Sequence, residues 1–432
     1  MTTTEVLSTD TGIQVQPDRT RVINRFFVPG REDVGPGDSR AGPVAERVLR
    51  MDETDVVVAL GDIDDRFTHR HRDLHGAFEA HAAMIMPRLE SGVELSTARR
   101  LLLGAAFSHE YAVEGAAICN PSLVLHPQQP VDGNVAFIMS VRCVGEGHIS
   151  SIGFRTGFVT DDGAVTVDRP GPFTEAGTAE FVGNDGPSYR ATFAADSLVS
   201  ERLLWPQTAA ERHGMEDARF VRFVSDSGDV TYYATYTAFD GVNITQHLLQ
   251  TIDFETFHAS PITGAAATGK GLAIFPRLIK GRYAALSRSD RETNAITFSD
   301  SLHHWDERIT IQSPEQPWEI LQLGNCGSPI ETDAGWLVLT HGVGAMRTYS
   351  LGAILLDLDE PQRVLARSAE PLLSPGNSRR DGYVPNVVYS CGALAHNDIL
   401  VLPYGVGDQT VHVATMSISA LIESMHPEID SL

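Results

Sequence analysis

The chain has 432 residues, 42% of them hydrophobic, and a formal net charge of −23 at pH 7. A chain of this length can bury a large core. The negative charge argues against a nucleic-acid partner, because such binding depends on a basic surface that releases counterions. The longest apolar runs are strand-length, well short of the roughly 18 residues of a membrane-spanning helix, so no membrane partner is expected.

The first 16 residues are polar and acidic and lack the basic and apolar regions of a secretory signal, which predicts a cytoplasmic protein. The four cysteines are far apart and none belongs to a Cys-x-x-Cys pair, so we expect reduced thiols and neither a zinc site nor a disulfide framework. No metal and no cofactor is predicted.

The N-terminal part of the chain is predicted to be mixed and partly helical. Residues 1–60 are expected to be irregular, with one strand at Val56–Leu60. Apolar residues at helical spacing predict a helix over Asp73–Leu89 that Pro87 ends early, and a second helix from an N-cap at Ser96 to about Tyr111. We therefore expect an extension over residues 1–112, serving as a dimer contact or a lid, and a second domain over residues 113–432.

Five segments in this second domain share one pattern, in which a polar or glycine turn leads into a short apolar strand that ends on a large polar residue. The turns begin at Asp132, Ser227, Lys280, Asp333 and His396, and the strands end at Arg142, Tyr236, Arg288, His341 and Tyr404. The last four turns recur roughly every 53 to 63 residues, and residues 156–210 are interpreted as an insertion.

This repeat predicts an all-β fold, a five-bladed β-propeller, because small sheets that cannot bury their own faces stack around an axis. The five polar strand ends would then converge on one central funnel.

Two polar motifs in the repeat region offer chemistry. In His213-Gly214-Met215-Glu216-Asp217-Ala218-Arg219, side chains that alternate along a strand would turn one carboxylate to the funnel and its neighbour to Arg219 or a backbone donor. A surface turn with an ion pair is the alternative. The second motif, Gly269-Lys270-Gly271, carries one of only two lysines in the chain, the other being Lys280, which fits a site that needs a compact point charge.

Two longer motifs follow: Gly324-Asn325-Cys326-Gly327 continuing to His341 and Tyr349, and Gly382-Tyr383-Val384-Pro385-Asn386 with Pro403-Tyr404-Gly405 and Asp408. In this order and spacing the motifs resemble glycoside hydrolase family 130, the mannoside phosphorylases and mannosidases built on a five-bladed propeller. The resemblance begins near Asn120 and extends over residues 118–420.

The resemblance implies roles for individual residues. Asp217 corresponds to the aspartate that serves as general acid, with Ala218 in place of the usual proline. Lys270, Arg288, His341 and Tyr349 align with the groups that bind phosphate in phosphorylases, although Gly271 replaces the usual aspartate. The expected sugar-binding residues are Asn120, Arg142, Arg219, Tyr236, Asn325, Tyr383, Asn386 and Asp408.

Glu331 distinguishes two reactions. A carboxylate near a phosphate site repels the dianion, whereas it could activate water opposite Asp217, as inverting hydrolysis requires. Glu216 and Asp381 are reserve candidates, and a structural pairing of Glu331 with Arg288 or Lys270 is the alternative. We therefore expect an inverting mannosidase that acts on manno-oligosaccharides or mannan, with linkage and endo or exo action open. A mannoside phosphorylase and a non-catalytic glycan-binding propeller remain as alternatives.

Overall fold

The computed structural model describes residues 8–29, 40–89, 94–131, 133–182, 187–376 and 380–428. The chain divides into two compact units. The helical unit comprises Arg19–Val113 and Pro172–Glu175, and the sheet unit comprises the rest of the described chain.

The helices are α1 Ala41–Arg50, α2 Glu53–Phe67, α3 Leu74–Ile85, α4 Thr97–Ala106 and α5 Ile418–Glu423. The strands are β1 Thr9–Val15, β2 Val22–Phe26, β3 Ser108–Ala112, β4 Ala117–Leu125, β5 Val135–Val144, β6 Ser150–Val159, β7 Val165–Val167, β8 Glu175–Ala176, β9 Thr178–Phe181, β10 Tyr189–Thr192, β11 Arg202–Leu204, β12 Gly214–Val224, β13 Val230–Phe239, β14 Ile244–Thr251, β15 Thr256–Pro261, β16 Ala273–Ile274, β17 Tyr283–Ser287, β18 Asn294–Ser299, β19 Ile309–Gln312, β20 Gln322–Asn325, β21 Ile330–Thr332, β22 Gly335–Gly344, β23 Thr348–Leu356, β24 Val364–Arg367, β25 Val388–Tyr389, β26 Leu394–His396, β27 Ile399–Val406, β28 Thr410–Ser417 and β29 His426–Pro427. No helix in the described parts of the chain is both long and apolar enough to span a membrane.

The helical unit packs α1 to α4 with the antiparallel pair β2–β3. The predicted helix ends are largely confirmed: α3 stops at Ile85, shortly before Pro87, and the Ser96 side chain caps α4 by accepting a hydrogen bond from Arg99 N at 3.1 Å. The predicted helix after Ser96 is too long, however, because α4 ends at Ala106 and residues 108–112 form β3.

The strand predicted at Val56–Leu60 is wrong, since these residues lie inside α2. Val56 and Leu60, four positions apart, are buried, whereas Val57 and Val58 are 56% and 67% exposed. This is the burial pattern of one helix face, which a run of five apolar residues does not reveal by itself.

The sheet unit consists of antiparallel meanders. The largest sheet joins the meander β4–β5–β6 to the meander β12–β13–β14–β15 through a parallel contact at Gly214 and Ser150. Three further sheets contain the meanders β16–β17–β18–β19, β20–β22–β23–β24 and β25–β27–β28, the last extended by β1. The five repeated segments are the strands β5, β13, β17, β22 and β27; Asp132, in the first turn, lies outside the described residues.

The first strands of the meanders touch one another. Cys391 N donates to Pro121 O at 2.8 Å, Phe220 N donates to Ser122 Oγ at 3.2 Å, and Arg219 Nε donates to Cys326 O at 2.8 Å. Asn325 Nδ2 donates to Gly271 O at 2.8 Å. Segments that are distant in sequence are therefore gathered into one polar centre. The four cysteines are buried, and no disulfide joins any two of them.

Candidate active site

Two left-handed residues shape the polar centre. Asn120 and Asp217 have φ angles of 49° and 55°, and each lies at a bulge, between Cys119 and Ser122 in β4 and between Glu216 and Arg219 in β12. Bulges re-aim side chains, and strained backbone of this kind concentrates at functional sites. Asn120 Oδ1 is buried and has no hydrogen-bond partner among the described residues.

The bulge in β12 turns both acidic residues toward one arginine. Arg142 Nη2 donates to Glu216 Oε1 at 2.6 Å, and its Nη1 lies 3.4 Å from Asp217 Oδ1. Lys270 Nζ lies 2.6 Å from the other Glu216 oxygen. Glu216 is thus held between two cations, while Asp217 is only loosely paired. The expected arrangement, with one carboxylate toward the funnel and the other on Arg219 or a backbone donor, differs from the structure, in which both carboxylates face Arg142.

The positive charges around Asp217 have a larger effect on its pKa than burial has. Burial by itself would raise the pKa of the Asp217 carboxyl, but Arg142, Lys270, Arg219 and Arg288 lower the pKa below its ordinary value. The same burial raises the pKa of Asp408 to about 6, against the opposing effect of Arg142. Neighbouring carboxyls with separated pKa values are typical of acid–base sites.

Arg288 and His341 form the other side of the centre. The Arg288 side chain lies in a groove between Gly271 and Gly324, where a Cβ on either glycine would come within 2.6 Å of Arg288 Cδ. His341 is fully buried, and its ring packs against Tyr389 at 4.8 Å and stacks on Tyr349 at 6.2 Å between centroids. Burial first, and then the positive charge of Arg288, hold the pKa of His341 well below its ordinary value, so the imidazole is neutral.

Several predicted sugar-binding residues instead hold the centre together. Arg219 is 1% exposed and donates to Cys326 O, to Asp217 O at 2.8 Å and to Tyr389 Oη at 3.1 Å. Asn325 is fully buried and bonds to Gly271 O. Through its bond to the backbone oxygen of Asp217, Arg219 helps to hold that residue in position.

Two of the five strand-end residues that were expected to converge lie outside the polar centre. Tyr236 is fully buried in a hydrophobic cluster and hydrogen-bonds to Glu211. Tyr404 is fully buried in another cluster, where its ring stacks on His412. Both expectations are corrected for the same reason: an aromatic ring at a strand end fills the space between sheets as well as it lines a funnel.

Glu331 is not brought to Asp217. Its carboxylate forms a two-pronged ion pair with Arg277, whose Nη2 lies 2.6 Å from Oε1, and its side chain is 44% exposed. Glu331 stands opposite Trp336, five residues before His341 on β22, or about 17 Å of extended strand away. The expected general base therefore lies at the other end of the strands, and its partner is neither Arg288 nor Lys270.

The remaining predicted residues lie near the rim. Tyr383, 46% exposed, hydrogen-bonds to His148 in the turn that follows β5. Val384 N donates to Gly407 O at 2.8 Å, which places Tyr383 beside Asp408. The left-handed Asn386 accepts a hydrogen bond from Tyr349 N at 2.9 Å through its backbone oxygen. Of these rim residues, only His148 was not predicted.

Arg347 was also missed. Its charge lowers the pKa of Asp408, against the larger effect of burial. Its only sequence signal is its place in the turn after the His341 strand. Among the described residues no cluster of three or more His, Cys, Asp and Glu side chains could hold a metal ion.

Comparison with known proteins identifies the family. A family model described as beta-1,4-mannooligosaccharide phosphorylase matches residues 194–427. The chain belongs to glycoside hydrolase family 130. This confirms the family that the motifs predict.

Family 130 relatives of similar sequence are named as phosphorylases. A 1,2-beta-oligomannan phosphorylase of a Thermoanaerobacter species is 34% identical over 49% of this chain and 70% of the relative. A beta-1,2-mannobiose phosphorylase of Listeria innocua is 31% identical over 54% of this chain, which spans 66% of that relative.

Solved structures show the same fold. The Listeria innocua beta-1,2-mannobiose phosphorylase, in complex with beta-1,2-mannobiose, matches with a TM-score of 0.53 at 23% identity, covering 73% of this chain and 93% of the other. A solved structure from work on family 130 glycoside hydrolases that target beta-1,2 mannosidic linkages in Candida mannan matches with a TM-score of 0.51 at 18% identity, covering 72% of this chain and 87% of the other. At these identities the likeness concerns the fold alone.

Proposed function

We propose that the protein is a mannoside phosphorylase, which cleaves a β-linked mannoside with inorganic phosphate and releases mannose 1-phosphate, on a closed five-bladed propeller whose blades are the five meanders. The single observation that carries this proposal is the local excess of positive charge around Asp217. The names of the sequence relatives support the same reaction.

The charge around the site is opposite to that of the whole protein. In a chain of net charge −23, three carboxylates share the centre with five cations. The carboxylates are Glu216, Asp217 and Asp408, and the cations are Arg142, Lys270, Arg219, Arg288 and Arg347. Arg219 donates its hydrogen bonds to groups within the protein. Lys270 and Arg288 are partly exposed and can contact an anion. Such a centre favours a dianion such as phosphate.

The position of Glu331 removes the main argument for hydrolysis. Inverting hydrolysis needs a base on the face of the sugar opposite the acid. With Glu331 held by Arg277 at the far end of the strands, the expected water-activating group is missing from the centre. Phosphate needs no such base, because it is itself the nucleophile.

In the proposed reaction, one side of the centre holds the attacking phosphate and the other side protonates the leaving group. A phosphate oxygen, held by Lys270, Arg288 and the neighbouring hydroxyl of Tyr349, attacks the anomeric carbon as the glycosidic C–O bond breaks. The leaving oxygen takes a proton from Asp217, either directly or through a sugar hydroxyl. The configuration at the anomeric carbon is inverted, so a β-mannoside yields α-mannose 1-phosphate.

Phosphate binding also explains how Asp217 obtains its proton. In the free protein the surrounding cations keep the pKa of Asp217 low and the carboxyl ionised. A bound dianion offsets those cations, and a sugar that covers the site excludes water, and both effects raise the pKa of a carboxyl. Both effects therefore favour the protonated acid when both substrates are bound.

An inverting mannosidase is the second candidate. The observation that favours it is Asp408, a further carboxyl beside Asp217 with a pKa of about 6, which could accept a proton from water.

One experiment separates the candidates. The protein is incubated with β-1,2- and β-1,4-mannobiose, with and without inorganic phosphate, and products are followed by phosphorus and proton NMR. We expect α-mannose 1-phosphate only when phosphate is present. Free mannose formed at the same rate without phosphate would establish hydrolysis, and binding of the sugars without turnover would leave the glycan-binding propeller.

A further inference from the structure

The helical unit contains a cavity that takes no part in the proposed reaction. It has a volume of about 200 Å³ and lies between α2, α3, α4 and the strands β2 and β3. All of its lining residues fall within Arg19–Val113. The volume is below the roughly 300–1,000 Å³ of sites for drug-sized ligands, so a disaccharide or a nucleotide is too large for it.

The three helices give the cavity apolar walls. α2 contributes Ile63 and Phe67, α3 contributes Leu74 and Phe78, and α4 contributes Ala105. Leu74 and Phe78 are 5% and 3% exposed, so these walls belong to the core of the unit. An apolar cavity of about 150 Å³ holds a benzene ring. The cavity therefore has room for one six-membered ring with a small substituent, and the rings of Phe67 and Phe78 favour an aromatic one.

The strand pair supplies a polar wall with an unused hydrogen-bond acceptor. Asn24 in β2 stands directly opposite Glu110 in β3, and both residues line the cavity. Asn24 Oδ1 is buried and has no hydrogen-bond partner among the described residues. Buried polar atoms in folded proteins are nearly always bonded, because an acceptor without a partner costs the full loss of its hydration. This oxygen is therefore available to accept a hydrogen bond from a bound molecule.

The polar wall carries no excess charge. Glu110 Oε1 lies 2.9 Å from Arg70 Nε, which balances the carboxylate. His71 Nε2 hydrogen-bonds to the same oxygen at 2.9 Å. Burial lowers the pKa of His71 against the opposing effect of Glu110, so the imidazole is neutral and acts as the donor in this bond. A neutral ligand with a hydrogen-bond donor suits this wall better than a cation or an anion.

We propose that the cavity binds a small neutral aromatic molecule with one hydroxyl group, that is, a phenol. The ring packs against the helices, and the hydroxyl donates to Asn24 Oδ1. The inference does not depend on the proposed function, because the site lies wholly within the helical unit and gives the N-terminal extension a ligand of its own.

The test compares two ligands of the same size. Phenol and toluene differ only in a hydroxyl in place of a methyl group, so only phenol can donate to Asn24. Binding of each to the full chain is measured at up to millimolar concentration by ligand-observed NMR and calorimetric titration. We expect phenol to bind about 3- to 10-fold more tightly than toluene, which is the effect of one net hydrogen bond.

Two variants locate the binding. Asn24→Leu has a similar volume and no acceptor, so phenol should lose its advantage while toluene still binds. This variant should unfold at the same or a higher temperature than the wild type, because a buried acceptor without a partner is removed. Ala105→Leu fills the cavity and should abolish binding of both ligands. Ala83→Leu, at an exposed position of α3 outside the lining, is the matched control and should bind like the wild type.

The results separate this site from binding elsewhere. Absence of phenol binding to the wild type overturns the proposal, and so does toluene binding as tightly as phenol. Phenol that keeps its advantage in Asn24→Leu, or still binds to Ala105→Leu, also overturns it. Thermal unfolding verifies the fold of each variant, and if Ala105→Leu does not fold, Asn24→Leu with the two ligands still decides. Because no measurement requires turnover, failure to cleave a mannoside contradicts only the proposed function.

Discussion

Replacing Lys270 with methionine tests the phosphate site most directly. Lys270 Nζ lies 2.6 Å from Glu216, and its side chain is 37% exposed, so the charge is available to a ligand. A hydrogen bond to a charged group contributes about 1.5–3 kcal/mol, which predicts a rise of about 10- to 100-fold in the KM for phosphate. The KM for mannobiose is expected to change less than about 3-fold, because the sugar lies on the other side of the scissile bond.

The fold should tolerate this change. Glu216 keeps its bond to Arg142 at 2.6 Å, and a partly exposed ion pair contributes about 1 kcal/mol or less to stability. Loss of the positive charge also raises the pKa of Asp217, which Lys270 lowers in the wild type. The pH–rate profile of Lys270→Met should therefore extend to higher pH.

The chain supplies a matched control for this variant. Lys280, the other lysine, is 65% exposed and lies 3.7 Å from Glu360. Initial rates of phosphorolysis are measured for Lys270→Met and Lys280→Met while phosphate is varied at saturating mannobiose. Lys280→Met should match the wild type. If Lys270→Met leaves the KM for phosphate unchanged and raises that for mannobiose, the anion site is wrongly placed.

Three further predictions follow from the geometry. Asp217→Asn should lower kcat at least about 100-fold by removing the proton donor. The kcat of Glu331→Gln should stay within about 2-fold of the wild-type value, because the partner of Glu331 is Arg277 at the far end of the strands. A large loss of kcat in Glu331→Gln would restore Glu331 as a general base. Arg219→Met should lower the free energy of unfolding by about 2–4 kcal/mol, measured in urea, because it leaves buried acceptors at Cys326 and Asp217 unbonded; an unchanged midpoint would contradict its supporting role. The folded-state pKa of Asp408 is raised to about 6, so the protonated carboxyl favours folding, and this contribution to stability is lost as pH rises from about 4 to 6. Asp408→Asn should therefore be more stable than the wild type by up to about 3 kcal/mol at pH 8 and about equally stable at pH 4. Equal stability of the two proteins at both pH values would refute the raised pKa.

The sequence by itself predicted the elements whose signals are local. Pro87 and the Ser96 cap fixed helix ends, because a missing N–H and a side-chain acceptor act within one turn. The repeated turns predicted five strands, and the spacing of motifs identified the family. The acidic pair Glu216–Asp217 was singled out by its motif, and Lys270 by the scarcity of lysine, of which the chain has only two.

Tertiary structure decided which side chains meet. Tyr236 and Tyr404 end strands in the same pattern as Arg142, yet they fill the space between sheets, and Glu331 follows a family motif but pairs with Arg277. The alternation of residues along a strand predicts the face of the sheet on which a side chain lies. It does not predict which side chain of a neighbouring strand will lie next to it. The left-handed turn at Asp217, which brings both carboxylates onto Arg142, likewise arises from a bulge that only strand pairing creates. Charge balance in the centre is a sum over five distant segments, so it exists only in the folded chain.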